Sequence, residues 1–337
     1  EIDGHGLTMR ARLRGHASTE LGTARTTLRS LARGGQATAH EVATACDALS
    51  RQTASIMQTV IGDAVPDLAA VHGQTIVHVA PLSWQLINAS VIAATLRCPV
   101  ASDMRAGDLA SGGHGAPITP LADWILFRSS ANRAIVNLGG FCNITWLPSD
   151  TVEGVTGRDV CVCNQLLDAA ARMTLGTPFD LDGQHAAQGT PDPTLVASLG
   201  SALKHSPAAR SLGSGDESFT WLEQTCTKDT EPHVLLASIT AAIGEHIGEA
   251  AAAAGAADIV VAGGGAHHAP LVAAIEAASE LPLMLSSDLG IPIEAREAAC
   301  IAILAALDQD DVPITIPGVT GRNPDHPIGM QWCRPLS

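Results

Sequence analysis

The sequence predicts an α/β fold. Three observations carry that reading. Segments of helical and of extended character alternate along the chain. The extended segments end in glycine-rich turns, where open α/β sheets bind ligands. The chain has 337 residues, of which 46% are hydrophobic and only 16% charged. That is enough to bury roughly three quarters of the unfolded surface, most naturally in two domains.

Taken in order, residues 19–60 read as helical, because apolar positions recur on one helical face, among them Leu28, Leu31, Val42, Leu49, Ile56 and Val60. Leu68–Val71 reads as a short strand ending in His72-Gly-Gln-Thr75. Residues 88–97 read as a helix with Asn88 as its N-cap. Val100–Asp103 is a strand running into the loop Ser111-Gly-Gly-His-Gly-Ala-Pro117. From Arg133 the character changes. Ala134–Gly140 and Phe141–Trp146 form an antiparallel pair around Gly139-Gly140, and a helix spans 164–174. Residues 176–232 show little periodicity, as expected of functional loops or an interface. His233–Ala254 is a long Ala-rich helix, and Asp258–Gly265 a buried strand opening into Gly263-Gly264-Gly265. A helix at 269–279, a strand at 283–285 and a helix at 294–307 follow. The tail, 312–337, is rich in Pro and Gly. There is no internal repeat.

Composition excludes several function classes. Nineteen Lys and Arg face 34 Asp and Glu, a net charge of −15 with 3% aromatics. That balance argues against a nucleic-acid or anionic-membrane partner, which would favour a basic face. No uninterrupted apolar run reaches the roughly 18 residues of a membrane span, and no signal peptide opens the chain. Of eight cysteines only Cys161 and Cys163 lie close, as C-x-C. A structural zinc site usually needs two such pairs, so the cysteines are expected to pack as small hydrophobes in a reducing cytoplasm.

The candidate functional residues gather at the glycine turns. Glycines after a strand let the backbone approach a ligand and present N–H groups to it. Gly263-Gly264-Gly265, Gly139-Gly140 and Gly112-Gly113-His114-Gly115 qualify, although the second is equally a plain hairpin. Polar His72, Gln74, Asp103, Arg105, Asp108, His114, Asn137, Asn143 and Asp159 fall at expected strand ends or in loops. Asp159, in Thr156-Gly-Arg-Asp-Val160, is expected in a loop before a helix. There it is either a dipole-favoured acid or a general base acting on water.

These pieces, in this order, resemble the anhydro-N-acetylmuramic acid kinases. His72-Gly-Gln-Thr75, Ser102-Asp-Met-Arg-Ala-Gly-Asp108 with Gly112–Pro117, Asn137-Leu-Gly-Gly-Phe-Cys-Asn-Ile-Thr145 and Val261–Ala266 carry the likeness over about 3–329. The resemblance implies the two-domain fold of actin and hexokinase, with ATP and Mg2+ bound in the cleft. It implies a cytoplasmic homodimer that opens the 1,6-anhydro ring of anhydro-N-acetylmuramic acid and phosphorylates O6 in cell-wall recycling. An N-terminal domain would span 1–132, with 312–337 returning to it, and a C-terminal nucleotide-binding domain 133–311. Asp159 would be the catalytic base. His72, Gln74, Thr75, Arg105 and Glu297 would bind the sugar. Asn137, Gly139, Gly140 and Asn143 would form the second phosphate loop, and Gly263, Gly264 and Gly265 the adenosine loop.

Three departures from the family pattern stand out. The family opens with a phosphate loop of the form M-S-G-T-S-x-D-G; here Glu1–Leu7 resembles the segment after it. Either that loop lies outside this sequence or the chain lacks it. The D-T-G-P-G-N run at the base reads Asp159-Val-Cys-Val-Cys-Asn164, so a different local geometry is expected. Ile87-Asn88 replaces Gly-Asp. The sequence therefore leaves two alternatives open: a non-catalytic sugar- or nucleotide-binding relative, or a kinase for another anhydrosugar.

Overall fold

A computed structural model describes residues 1–32, 34–149, 151–205, 217–227 and 230–335. The chain divides into two compact units, Glu1–Leu126 with Glu297–Ser337, and Phe127–Arg296. The sequence reading set the corresponding boundaries at 132 and 312.

The first unit opens with strands β1 (Ile2–Asp3) and β2 (Arg10–Ala11), paired antiparallel, then helices α1 (Arg25–Ala32) and α2 (Ala39–Ile61). The single helical span expected over 19–60 is thus two helices. Gly34, at φ +75°, allows the chain to turn. Thr38 restarts the helix through a capping box: Glu41 N–H donates to Thr38 Oγ1 at 3.2 Å, and Thr38 N–H to Glu41 Oε2 at 2.7 Å. Next come β3 (Ala69–Ala70), β4 (Gln74–Val79), β5 (Leu82–Leu86), α3 (Ala89–Leu96), β6 (Val100–Ser102), α4 (Ala106–Ala110) and α5 (Pro120–Phe127). Asn88 caps α3 as expected, its Oδ1 accepting Ser90 N–H at 3.1 Å.

The second unit holds a five-stranded sheet built from β7 (Arg133–Leu138), β8 (Phe141–Leu147), β9 (Thr156–Val162), β10 (Asp258–Ala262) and β11 (Leu283–Leu285). Its order is β11-β10-β7-β8-β9. β7, β10 and β11 run parallel, and β8 is antiparallel to both β7 and β9. Helices α6 (Asn164–Thr174), α7 (Pro193–His205), α8 (Glu217–Thr225), α9 (Pro232–Ala252) and α10 (Ala269–Ser279) accompany it. One continuous core joins β7–β10 to α6, α7 and α9 through Val136, Ile144, Leu166, Leu199, Ile243 and Val261. The helix α9 is long and apolar enough to cross a membrane by length and composition, but 72% of its most apolar window is buried within the unit. That burial suits a core helix.

Two expectations are corrected here. Residues 176–232 are not uniformly irregular, since α7 and α8 lie within them. Their Leu199, Leu203 and Leu222 bury against the core; 206–216 and 228–229 lie outside the described residues. Asp159 does not precede a helix in a loop. It lies inside β9, because Val160, Cys161 and Val162 are all buried and extend the meander beside β8.

The chain then returns to the first unit through α11 (Arg296–Gln309), α12 (Pro317–Thr320) and β12 (Gln331–Cys333). β12 pairs antiparallel with β6, which pairs parallel with β3, giving a three-stranded sheet.

Candidate active site

In the second unit the sheet itself assembles the polar residues. The register sets Asn137 of β7 opposite Asn143 of β8, and Asn143 opposite Asp159 of β9. A bulge at Cys142/Asn143 shifts the β8–β9 pairing just there; such bulges re-aim side chains next to binding sites. On the other side Asn137 pairs with Ala262, the last residue of β10. Asn137, Asn143 and Asp159 thus form one row across three strands, level with the carboxyl end of β10, where open α/β sheets bind ligands.

The glycine turns close on this row. Gly263 has φ +84°, and a Cβ there would lie 2.7 Å from Asn137 Oδ1. A Cβ on Gly265 would lie 2.6 Å from Asn164 Oδ1, whereas one on Gly264 would meet nothing within 4 Å. Two of the three glycines are therefore required by close packing, and the middle one faces open space. Asn164 Nδ2 donates to Leu138 O at 3.0 Å, tying the start of α6 to the end of β7.

The Gly139-Gly140 turn is a hairpin whose carbonyls are already used. Gly140 O accepts from Cys163 N–H at 2.9 Å and Gln165 N–H at 3.2 Å; Gly139 O accepts from Asn164 N–H at 3.1 Å. These contacts cap the first turn of α6. Cys161 and Cys163, which stand where glycines were expected, are fully buried. None of residues 161–163 needs a positive φ. Burial pushes the Cys163 thiol up to about 12, against the hydrogen bond from Asn164, which lowers it.

Beside Gly264 and Gly265 opens a cavity of about 440 Å³. One wall is α6, with Leu167 and Asp168; the other is the segment 179–182, Phe179-Asp-Leu-Asp182. His267 and His268 complete it. Burial raises the Asp168 carboxyl, partly offset by Arg172.

In the first unit a separate cluster forms around His72. Arg105 Nε donates to His72 Nε2 at 3.2 Å, and His72 Nδ1 lies 3.0 Å from Gly73 O. An acceptor role at Nε2 puts the ring proton on Nδ1. Burial, then the Arg105 charge, hold the imidazole below its usual value, while Glu297 and Asp103 pull the other way. Arg105 Nη1 also donates to Gly115 O at 2.6 Å. Asp108, 3% exposed, fixes that loop by accepting from Gly115 N–H at 2.7 Å and Thr320 Oγ1 at 2.6 Å. Gln74 and Thr75 open β4, facing Leu86 and Gln85 of β5.

The sequence profile of one family, described as anhydro-N-acetylmuramic acid kinase, matches residues 1–333. The chain belongs to that family. A relative of that name from Salinibacter ruber is 30% identical over 78% of this chain and 72% of its own length. Another from Synechococcus sp. (strain CC9605) is 32% identical over 80% of this chain and 77% of its own. Among solved structures, component A of (R)-2-hydroxyglutaryl-CoA dehydratase from Acidaminococcus fermentans is 15% identical, with a TM-score of 0.42 over 77% of this chain and 84% of that one.

For this family member the sequence-derived residues fall into two groups. Asn137, Gly139, Gly140, Asn143, Asp159 and Gly263–Gly265 converge in the second unit. His72, Arg105 and Glu297 interact in the first, with Gln74 and Thr75 two and three residues beyond His72. Sequence reasoning missed the cavity wall of Phe179, Asp180, Asp182 and His268. The signal was available: an aromatic followed by Asp-x-Asp-Gly is turn chemistry inside a stretch taken as irregular.

Proposed function

We propose that this chain is an ATP-dependent kinase that opens 1,6-anhydro-N-acetylmuramic acid with water and phosphorylates the freed O6, giving N-acetylmuramic acid 6-phosphate. The observation that carries the reading is the row Asn137–Asn143–Asp159 with Gly263 packed on it, in a chain of this family. Ring opening requires a base on the face opposite the departing oxygen. Asp159 suits that role because a strand hydrogen-bonded to its neighbour holds a carboxylate in one orientation.

The residues at Gly264 fit a nucleoside better than phosphates. The cavity offers apolar Leu167, Phe179 and Leu181 to a base, and carboxylates to ribose hydroxyls. The Gly139-Gly140 turn, whose carbonyls face α6, retains its own N–H groups for phosphate oxygens. Bound ATP supplies the transferred phosphoryl group, with Mg2+ neutralising its charge. Among the described residues no group of three or more His, Cys, Asp or Glu could hold a metal ion. Mg2+ would be held chiefly by phosphates and water.

The sugar-side roles go to His72, Gln74, Thr75, Arg105 and Glu297. A neutral His72, locked by Gly73 and Arg105, presents a fixed ring rather than a charge. This reading also implies a cytoplasmic homodimer acting in cell-wall recycling.

The test is ADP release by the full-length gene product with ATP and, separately, anhydro-N-acetylmuramic acid, levoglucosan and N-acetylmuramic acid. Release with the first supports the proposal; release only with another overturns the substrate. Asp159→Asn should abolish turnover while ADP still binds. Near-normal turnover would put the base elsewhere.

A further inference from the structure

The segment 177–183 is held in place yet leaves an aromatic ring uncovered. Asp180, 6% exposed, accepts from His185 N–H and Ala186 N–H, both at 2.9 Å. Arg172 Nη1 donates to Pro178 O at 3.2 Å, and Thr177 Oγ1 to Phe179 O at 3.1 Å. Gly183 sits at φ +71°, so close to His268 that a Cβ would lie 2.7 Å from its ring. His268 is 7% exposed and caps α10 through Nδ1 at 3.3 Å from Leu271 N–H. The wall is anchored on both sides, and its exposure is not slack.

On that wall Phe179 is 51% exposed and Leu181 55%. Of the chain's four phenylalanines, Phe127 is buried and Phe141 and Phe219 are half-buried. Phe179 is the exception, and it lines the cavity beside the open face of Gly264. An aromatic ring carried on an anchored backbone at the rim of a cavity offers a stacking surface. Both Asp180 oxygens are taken by backbone N–H groups, which leaves Asp168 and Asp182 as the carboxylates that line the cavity without such use.

We propose that Phe179 is the platform on which the purine of the nucleotide stacks, making the 179–182 wall the determinant of nucleobase selectivity. The inference rests on the nucleotide reading of the Gly263–Gly265 turn. Stacking on a flat ring favours purines over pyrimidines, because it scales with ring overlap. Asp168 and Asp182 accept from the ribose hydroxyls, which discriminates against a dideoxyribose.

The experiment is calorimetric titration of the full-length protein with ADP, GDP, CDP and 2′,3′-dideoxy-ADP in the presence of Mg2+. Wild type should bind ADP and GDP better than CDP. Phe179→Ala should weaken ADP roughly 5–100-fold and bring ADP and CDP together, with an unchanged melting temperature without ligand. Phe179→Trp should restore purine preference. If Phe179→Ala binds ADP as wild type does, the inference fails and the nucleotide reading stands. If wild type binds no nucleotide, both fail.

Discussion

Replacing Gly263 by Ala tests the architecture of the turn. Gly263 has φ +84° and ψ 163°, a region essentially reserved for glycine. The new methyl would lie 2.7 Å from Asn137 Oδ1, 2.8 Å from Leu138 O and 2.9 Å from Leu138 C. Two of those contacts are β7 backbone, which cannot swing away. The strained conformation costs about 1–3 kcal/mol, and forced overlap in a packed region about 1–3 kcal/mol more. The sum, about 2–6 kcal/mol, is a large share of the roughly 5–15 kcal/mol of a typical domain. Urea unfolding should register the loss, and the melting temperature should fall by at least about 4 °C. Gly264→Ala is the control, because nothing lies within 4 Å of its added Cβ. It should leave stability unchanged and weaken ADP binding by narrowing the cavity. A Gly263→Ala protein within about 0.5 kcal/mol of wild type would refute the packing argument, and an unstable Gly264→Ala would refute the assignment of its open face.

Further predictions follow from buried charges. Arg133, 9% exposed, binds Asp258 through Nε at 2.6 Å and Nη2 at 2.7 Å, joining β7 to β10. Asp258→Asn should cost about 3 kcal/mol in urea unfolding, since one buried charge loses its partner; a neutral effect would sink that estimate. Asp108→Asn cannot accept from both Gly115 N–H and Thr320 Oγ1, and should cost about 1–3 kcal/mol and open 111–115 to limited proteolysis. Burial lowers His72, His78, His246 and His268 from their ordinary values. Below about pH 6.5 the unfolded chain binds protons that these folded imidazoles refuse, so stability is lost as pH falls. The melting temperature should drop between pH 7.5 and 5.5 at constant ionic strength; a flat profile would contradict the burial of these rings.

How much of this was legible depends on where periodicity carried the information. The helices at 164–174 and 269–279, and the β7–β8 hairpin, follow from apolar spacing and the Gly-Gly turn. The break at 34–38 was also written in the chain, as Gly34-Gly35 and the Thr38…Glu41 capping box. Strand β9 was hidden for a physical reason. It mixes Arg158 and Asp159 with three consecutive buried residues, so it alternates poorly. The polar row was hidden for another: Asn137, Asn143 and Asp159 meet only through sheet register, and a local pattern carries no register between strands. The hairpin β4–β5 was not anticipated at all; it places Val77 opposite Trp84 and Val79 opposite Leu82, an exposed apolar face.

The acidity of the chain constrains how it could hold a nucleotide. The net charge is −15, and only two of the 19 basic residues, Lys204 and Lys228, are lysines. None of the residues lining the cavity at Gly264 is Lys or Arg, while Asp168, Asp180 and Asp182 all line it. Backbone N–H groups carry partial charges only. Phosphates seated near that turn would therefore repel the carboxylates unless a cation travels with them. Under the kinase reading, ADP affinity should fall by about tenfold, or 1.4 kcal/mol, when EDTA replaces Mg2+. Adenosine, which has no phosphates, should bind equally in both. Equal ADP affinity with and without Mg2+ would mean that protein cations do the neutralising, and that the phosphates lie away from these carboxylates.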